Sequence, residues 1–486
     1  MNYLNWIADG LILIPLIAIA INNLCTRKFM DRNFHLLGGV VTLTQLIAVI
    51  YSFLVMSRNG FQVGNQVQTT AIGLPTGIFH ITPIALVFLF CVGLVAFISV
   101  LIAKKTIDAN KVSYINLLMT LLVGMNGMLL VDDLFSLYVF LDVVGISSFV
   151  MIALFRSRTG LEGSIKYLVI SSLATIFILT ALAFIFMYTG SLSYDVVRGD
   201  LLKLAPHPFS IMLDFALILL IAGYAIKTGA VPFHSWLPDA HQSADTSVSV
   251  LLSGIVIKVA GIYSFVVLTQ LFPGVRAIRL TLAILGILSI LIGALLAMRQ
   301  NHFKRIIAYS SVSQMGYILL GLSAGNTLGL IGAVAHVFSH ATFKSTLFAN
   351  AAALHEQAET LDIQSLGGLQ NQMPITSFSS VIASLSTAGI PPFLGFWSKF
   401  IIIAALWNAD LKILGGVALG MSILTAAYFL RLQGKVFFGK PKPELGFVKE
   451  IRGSICFAEI LLTAITILVG VSFPVVLIYI QSLGLI

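Results

Sequence analysis

The sequence predicts an all-α polytopic membrane protein of about fourteen transmembrane helices. Three observations predict it. Of 486 residues, 58% are hydrophobic and only 10% charged, where a soluble domain carries roughly 25% charged residues. The apolar runs are continuous and match the roughly 20 residues of a membrane helix, so fourteen helices use roughly 280 residues and leave short loops. A transmembrane β-barrel would alternate in roughly ten-residue segments instead. Third, basic residues favour alternate loops.

The spans read at 9–24, 34–55, 80–103, 113–131, 133–155, 163–189, 210–231, 246–270, 277–298, 304–323, 327–353, 374–401, 410–432 and 454–480. Loops after odd-numbered spans hold eighteen Lys and Arg, among them Arg27, Lys104, Arg156, Arg299, Lys304 and Arg431; loops after even-numbered spans hold six. The positive-inside rule puts the odd loops in the cytoplasm and both termini on the outer side of the cell membrane. The net charge of +9 then belongs to cytoplasmic loops and calls for no nucleic-acid partner. The start, MNYLNWIADG, has no basic residues ahead of its apolar run, so it reads as a retained first span rather than a signal peptide.

The organisation has four parts. Residues 1–112 form an N-terminal three-helix segment, 113–270 a first repeat (helices 4–8), 271–432 a second (helices 9–13), and 433–486 a C-terminal loop and helix 14. Each repeat holds one Gly-x-x-Pro-Phe, Gly229 to Phe233 and Gly389 to Phe393, with Lys227 or Lys399 nearby. A repeat of five spans must insert upside down relative to its partner, as in many transporters.

Cofactor chemistry has no motif here. Cys25, Cys91 and Cys456 are scattered and form no iron–sulfur spacing, and no nucleotide loop appears. We expect no cofactor or metal in this chain and no catalytic residue of its own.

The remaining basic residues carry the functional signal. Of 28 Lys and Arg, four lie inside apolar spans: Lys227, Lys258, Lys344 and Lys399. All are lysine, which can be deprotonated when buried, unlike arginine. Asp142 sits mid-span in DLFSLYVFLDVVGISSF, where an ionisable group costs several kcal/mol unless paired or hydrated. Pro232 leaves the Thr228 carbonyl without its helical partner, so the seventh span should break beside Lys227; Pro391 and Pro392 should break the twelfth about two turns before Lys399, which falls close to the end of that span as read, at 401. Lys258 lies too deep in the eighth span to snorkel easily. His336, His340 and Lys344 recur at i, i+4 and i+8 and share one helical face, more a relay of groups titrating near neutral pH than a metal site. His234, Asp239, His241 and Asp245, in the loop between spans seven and eight, are candidates for proton uptake. A carboxylate and an ammonium about 4 Å apart gain about 4 kcal/mol at an effective dielectric near 20. Separating such a pair makes the ammonium readier to release its proton, and passing that change from Asp142 and Lys227 through Lys258 and the histidine face to Lys399 would move protons sideways through the chain.

IKTGAVPFHSWLPDAH, IAYSSVSQMGYILLG, HVFSHATFKSTLF, LSTAGIPPFLGFWSKF and LEGSIKYLVISS together resemble the antiporter-like subunits shared by respiratory complex I, Mrp-type multisubunit Na+/H+ antiporters, and energy-converting membrane-bound hydrogenase and sulfane reductase complexes. The resemblance spans roughly residues 113–432. It implies fourteen core helices, two inverted five-helix repeats and broken seventh and twelfth spans. It also implies a histidine-bearing broken eleventh span, and a proton pathway matched here by Asp142, Lys227, Lys258, His336, His340 and Lys399. Two positions depart from the pattern. Asp142 stands where glutamate is usual and is one methylene shorter. ADTSVS stands where APTPVS is usual, with Asp245 at a common proline. The sequence ends soon after span fourteen, without the long lateral helix of the distal complex I subunit, as in the shorter D-type branch of the Mrp proteins.

Two functions follow. One is a proton-translocating subunit of a redox-driven complex (a hydrogenase, sulfane reductase or NADH/ferredoxin dehydrogenase), whose iron–sulfur clusters or NiFe centre sit in partner subunits. The other is the D-type component of a stand-alone Mrp-type Na+/H+ antiporter with no redox partner. Sodium needs oxygen ligands, and Asp142 is the strong mid-span candidate, so a sodium site is expected mainly in a partner.

Overall fold

The computed structural model describes residues 2–58, 79–204 and 211–482; residue 1, residues 59–78, 205–210 and 483–486 of the expected segments lie outside the described residues. Among the described residues the regular structure is almost wholly helical, with no strand longer than an isolated bridge. Helices α1 (Asn2–Leu24), α2 (Arg27–Arg58), α3 (Pro83–Thr106), α4 (Lys111–Leu130), α5 (Leu134–Ala153) and α6 (Arg158–Thr189) are the first six spans. A further helix, α7 (Tyr194–Leu204), leads to α8 (Ile211–Thr228), and α9 (Trp236–Ser243) follows. The eighth span starts as α10 (Thr246–Leu251), widens into π turns over Leu252–Val256 and Lys258–Tyr263, and ends as α11 (Ser264–Leu271). Then come α12 (Arg276–Arg299), α13 (Phe303–Ser323), α14 (Thr327–Ala358), α15 (Pro374–Ala388), α16 (Leu394–Asn408), α17 (Lys412–Val436) and α18 (Ser454–Ser482).

Among the described residues, 12 helical segments are long and apolar enough to cross a membrane. The other two expected spans are α14, whose histidines, lysine and hydroxyls dilute its hydropathy, and the twelfth, divided between α15 and α16. The eighth span and α13 are almost wholly buried. With α14, which packs on α3, α10, α13, α15, α16 and α18, they form the centre of the bundle. The outer faces of α2, α6 and α17 are rich in exposed Leu, Ile, Val and Phe, as a surface in lipid requires.

The odd loops meet on one face. Lys166, at the start of α6, and Arg305, at the start of α13, both bond Asp239; Thr106 bonds Asp245, and Arg431 reaches the Met298 and Gln300 carbonyls. The even connections meet on the other: His80 pairs with Asp132 at 3.4 Å, Leu134 N donates to the Leu192 carbonyl, and Arg279 caps α13 through the Ser323 and Ala324 carbonyls. The charge asymmetry read from the sequence is thus an asymmetry between two real faces.

Four expectations are corrected. The segment holding Asp239 and His241 is a helix, α9, not a loop, because Trp236, Leu237, Ala240 and His241 give it a buried side. The connection after α6 contains α7, whose Val197 is buried. The eleventh span is unbroken: α14 runs through 32 residues, with no proline and with Thr342 and Thr346 returning hydrogen bonds to its own carbonyls. Lys399 lies well inside α16, which continues to Asn408.

Candidate functional site

The two broken spans place two lysines differently. α8 stops at Thr228, and Gly229 turns the chain with φ +68, a conformation that costs glycine little. Lys227, in the last turn, reaches across to α6. Its Nζ donates to Ser171 Oγ at 2.8 Å and lies 3.5 Å from Thr175 Oγ1 and 3.8 Å from Asp142 Oδ1. Thr175 in turn donates to Asp142 Oδ1 at 2.6 Å. The pair is therefore partly separated, with one hydroxyl wedged into it. The Lys227 side chain is 1% exposed and that of Asp142 29%, so the carboxylate looks outward from the chain. A Cβ at Gly145 would approach Lys227 Nζ to 3.2 Å, so glycine there makes room for the ammonium.

Lys258 is fully buried, and its Nζ donates to the Ser253 and Gly254 carbonyls. Both acceptors lie in the first of the two π turns, Leu252–Val256. Lys344, also fully buried, donates to the Ile307 carbonyl at 3.0 Å and to Ser310 Oγ on α13. His340 lies one turn before it with both ring nitrogens unpartnered; the side-chain amide of Gln314 on α13 and the hydroxyls of Ser339 and Ser345 on α14 are also buried and unpartnered. So many unpartnered buried polar atoms suit a site that holds water.

His336 continues the line. Its Nδ1 bonds Ser398 Oγ on α16 at 2.9 Å, and its ring centroid lies 6.5 Å from that of His340. Lys399, next to Ser398, donates to the Thr387 carbonyl at 2.8 Å and sits 4.3 Å from the centroid of Tyr317. Tyr317 is 5.9 Å from His336. Lys399 thus caps the C-terminal end of α15, where unpaired carbonyls and the helix dipole favour a cation. Gly389, with φ +85, ends α15, and a Cβ at Gly395 would overlap the Ser386 carbonyl. The break depends on these two glycines as well as on Pro391 and Pro392.

The four residues after the seventh span are not one cluster. Asp239 Oδ1 and Oδ2 take Arg305 at 2.8 Å and Lys166 at 2.9 Å. Burial alone raises this carboxyl, but hydrogen bonds from Lys166 and Arg305 outweigh it and lower it on balance. Asp245 caps α10, accepting from Ser247 N at 2.8 Å and from Thr106. His241 is fully buried, stacked 4.9 Å from Phe348, with both nitrogens unpartnered. His234 sits in the break with a buried, unpartnered Nδ1.

Sequence reading missed four members of this network and a fifth buried ionisable group outside it. Ser171 and Thr175 are spaced i, i+4 on α6, and Tyr317 lies in a motif already singled out, but nothing local marks what they touch. Lys304, counted with the loop charges, is buried and donates to the Ala244 carbonyl at 2.9 Å. Glu459, in the last span, is fully buried; it was visible as an acid inside an apolar run.

Buried lysines and histidines strung between two broken spans of a helical bundle set this chain among polytopic membrane proteins that keep ionisable groups within their own interior. The chain belongs to the NADH:quinone oxidoreductase/Mrp antiporter transmembrane family, whose description matches residues 131–425. It is 30% identical over 446 residues to the D component of the Na(+)/H(+) antiporter of Alkalihalophilus pseudofirmus, covering 90% of this chain and 88% of that one. It is 34% identical to the N component of the NADH-quinone oxidoreductase of Desulforudis audaxviator over 66% of this chain and 64% of that one. The M component of the F(420)H(2) dehydrogenase of Methanosarcina mazei matches at 28% over 96% of this chain and 94% of that one. The fold superposes on a chain of the Mrp complex from Dietzia sp. DQ12-45-1b with TM-score 0.86 (23% identity, 97% and 95% of the two chains). It superposes on one of the membrane-bound sulfane sulfur reductase, an archaeal respiratory membrane complex, with TM-score 0.85 (27%, 98% and 96%). The protein is an antiporter-like membrane subunit of this family, whose relatives work in assemblies with other membrane subunits.

Proposed function

We propose that this chain carries protons along Asp142, Lys227, Lys258, His340, His336, Lys344 and Lys399, driven by redox chemistry in partner subunits or by exchange against sodium. One observation supports this reading above the rest: four membrane-embedded lysines are buried, and among the described residues Lys227 alone of them is within salt-bridge distance of a carboxylate. A buried ammonium held by carbonyls and hydroxyls can lose its proton without stranding a counter-charge. At 3.8 Å the Asp142–Lys227 attraction is roughly 4 kcal/mol at an effective dielectric near 20, enough to bias the proton on Lys227 when the pair opens or closes.

The odd-loop face, with its basic excess, is the cytoplasmic side in this reading, and both termini lie outside. Iron–sulfur or NiFe centres belong to partners, as does most of any sodium site. The test is Lys227→Ala in proteoliposomes holding the assembled complex. Proton transport should fall to the leak rate; transport at the wild-type rate would sink the proposal. Affinity purification in mild detergent then separates the two drives. Co-eluting iron–sulfur or nickel–iron subunits mean a redox-driven pump, and small membrane subunits alone mean an Mrp-type antiporter.

A further inference from the structure

Glu459 lies in α18, outside the line just described, and is fully buried. The groups that face it are Asn350 from α14, Thr376 and Ser379 from α15, and Glu450 from the segment entering α18; Cys456 lies just before it on its own helix. Asn350 Nδ2 donates to Glu459 Oε1 at 2.6 Å and to Ser379 Oγ at 2.7 Å. Thr376 Oγ1 lies 2.8 Å from Glu450 Oε1 and 3.1 Å from Glu459 Oε2. Glu450 Oε2 takes the backbone N–H of Ile375 at 2.6 Å and of Thr376 at 3.3 Å, so this carboxylate is fixed at the N-terminus of α15, where negative charge is favoured. Among the described residues neither glutamate has a basic partner within salt-bridge distance.

Proton counting constrains the arrangement. A threonine hydroxyl has one proton to donate. If Thr376 gives it to the ionised, helix-capping Glu450, the contact to Glu459 Oε2 needs a proton from Glu459. Two unpartnered buried oxygens, Asn350 Oδ1 and Thr463 Oγ1 one turn beyond Glu459, leave acceptors open around the same carboxyl. We propose that Glu459 is a proton-binding site, held neutral and linked through Thr376 to Glu450 at the odd-loop face. This rests on the reading of the chain as a proton carrier. In the transfer, the Glu459 O–H bond breaks and its proton passes to the Thr376 oxygen, while the Thr376 hydroxyl proton passes to Glu450 Oε1. Thr376 is unchanged, Glu459 becomes the carboxylate and Glu450 the neutral acid; the reverse loads Glu459 from the loop face. The site lies against α14, the helix of His336, His340 and Lys344, and so offers the second half of the chain an uptake route separate from α9.

The test uses the assembled complex in proteoliposomes. Infrared difference spectra of wild type against Glu459→Gln should show a neutral-carboxyl carbonyl band that the variant loses. Thr376→Val, which removes the acceptor at nearly constant shape, should shift that band, and it serves on its own where Glu459→Gln fails to assemble. Glu459→Gln should also slow proton transport, and Glu459→Asp should restore part of it. No band lost with Glu459, no shift with Thr376→Val, or wild-type transport in Glu459→Gln alongside an inactive Lys227→Ala would overturn the proposal. If Lys227→Ala itself transports normally, the carrier reading fails, and the infrared band alone decides whether Glu459 holds a proton.

Discussion

Lys227 and Lys399 each lie beside the same sequence cue, a Gly-x-x-Pro-Phe, yet they are held by different physics. Lys227 ends its half-helix and points away from it, to a hydroxyl pair on α6 and a carboxylate 3.8 Å away. Lys399 starts from the following half-helix and points back, onto the carbonyls that end α15 and the face of Tyr317. The first ammonium answers to an ion pair whose carboxylate looks out of the chain, where a neighbouring protein can alter it. The second answers to fixed dipoles and a ring, which change only if the break itself rearranges. The first environment can be altered from outside the chain, and the second is fixed within it.

That contrast can be broken in order of effect. Asp142→Asn should cost the most, cutting proton transport by at least roughly tenfold, because tenfold needs only about 1.4 kcal/mol of the pair energy. Asp142→Glu should retain activity, since the longer side chain can close the 3.8 Å gap. Equal losses in both variants would mean that the pair does not steer the lysine. Next, Lys399→Met should lower stability by about 1–2 kcal/mol, measured by thermal melting in detergent, because the α15 carbonyls lose their cation; Lys399→Gln should recover part of that but not transport. Tyr317→Phe should cost about 1 kcal/mol through the lost hydroxyl bond to the Ala418 carbonyl and leave transport intact. Tyr317→Leu should slow transport, because the cation–π contact goes with the ring.

Asp239→Asn should matter least. Asp239 and Lys166 are partly exposed, so the loss should stay under about 1 kcal/mol and shrink in high salt. Because the Asp239 carboxyl is lowered, its stabilisation is present above the unfolded-state range and disappears as pH falls through the folded one. A melting difference between wild type and variant that grows toward acid pH would contradict this assignment.

Much of the fold was legible because lipid enforces a simple rule: apolar runs of spanning length must be helices. The alternate-loop charge bias, the breaks at Pro232 and at Pro391 and Pro392, and the placement of Asp142 and the four lysines follow from composition and spacing. Legibility failed where the cue was tertiary. α9 looked like a loop because its run of only eight residues carries a proline, Pro238, and the polar Asp239, Gln242 and Ser243. Lys304 looked like a loop charge because only the fold brings the Ala244 carbonyl over it. Lys399 looked terminal because the isoleucines and tryptophan beyond it could not be assigned to the same span.

The sequence by itself determined that this chain crosses a membrane many times, which of its loops share a face, and that four lysines inside apolar spans are buried, since each is a matter of hydropathy and spacing along one helix. Only the tertiary structure decided what each buried charge touches. It put Thr175 between Asp142 and Lys227, Tyr317 under Lys399, and two glutamates on one threonine hydroxyl. These contacts join residues distant in the chain, and the energy of a buried proton depends on the groups within a few ångströms of it rather than on its neighbours in sequence.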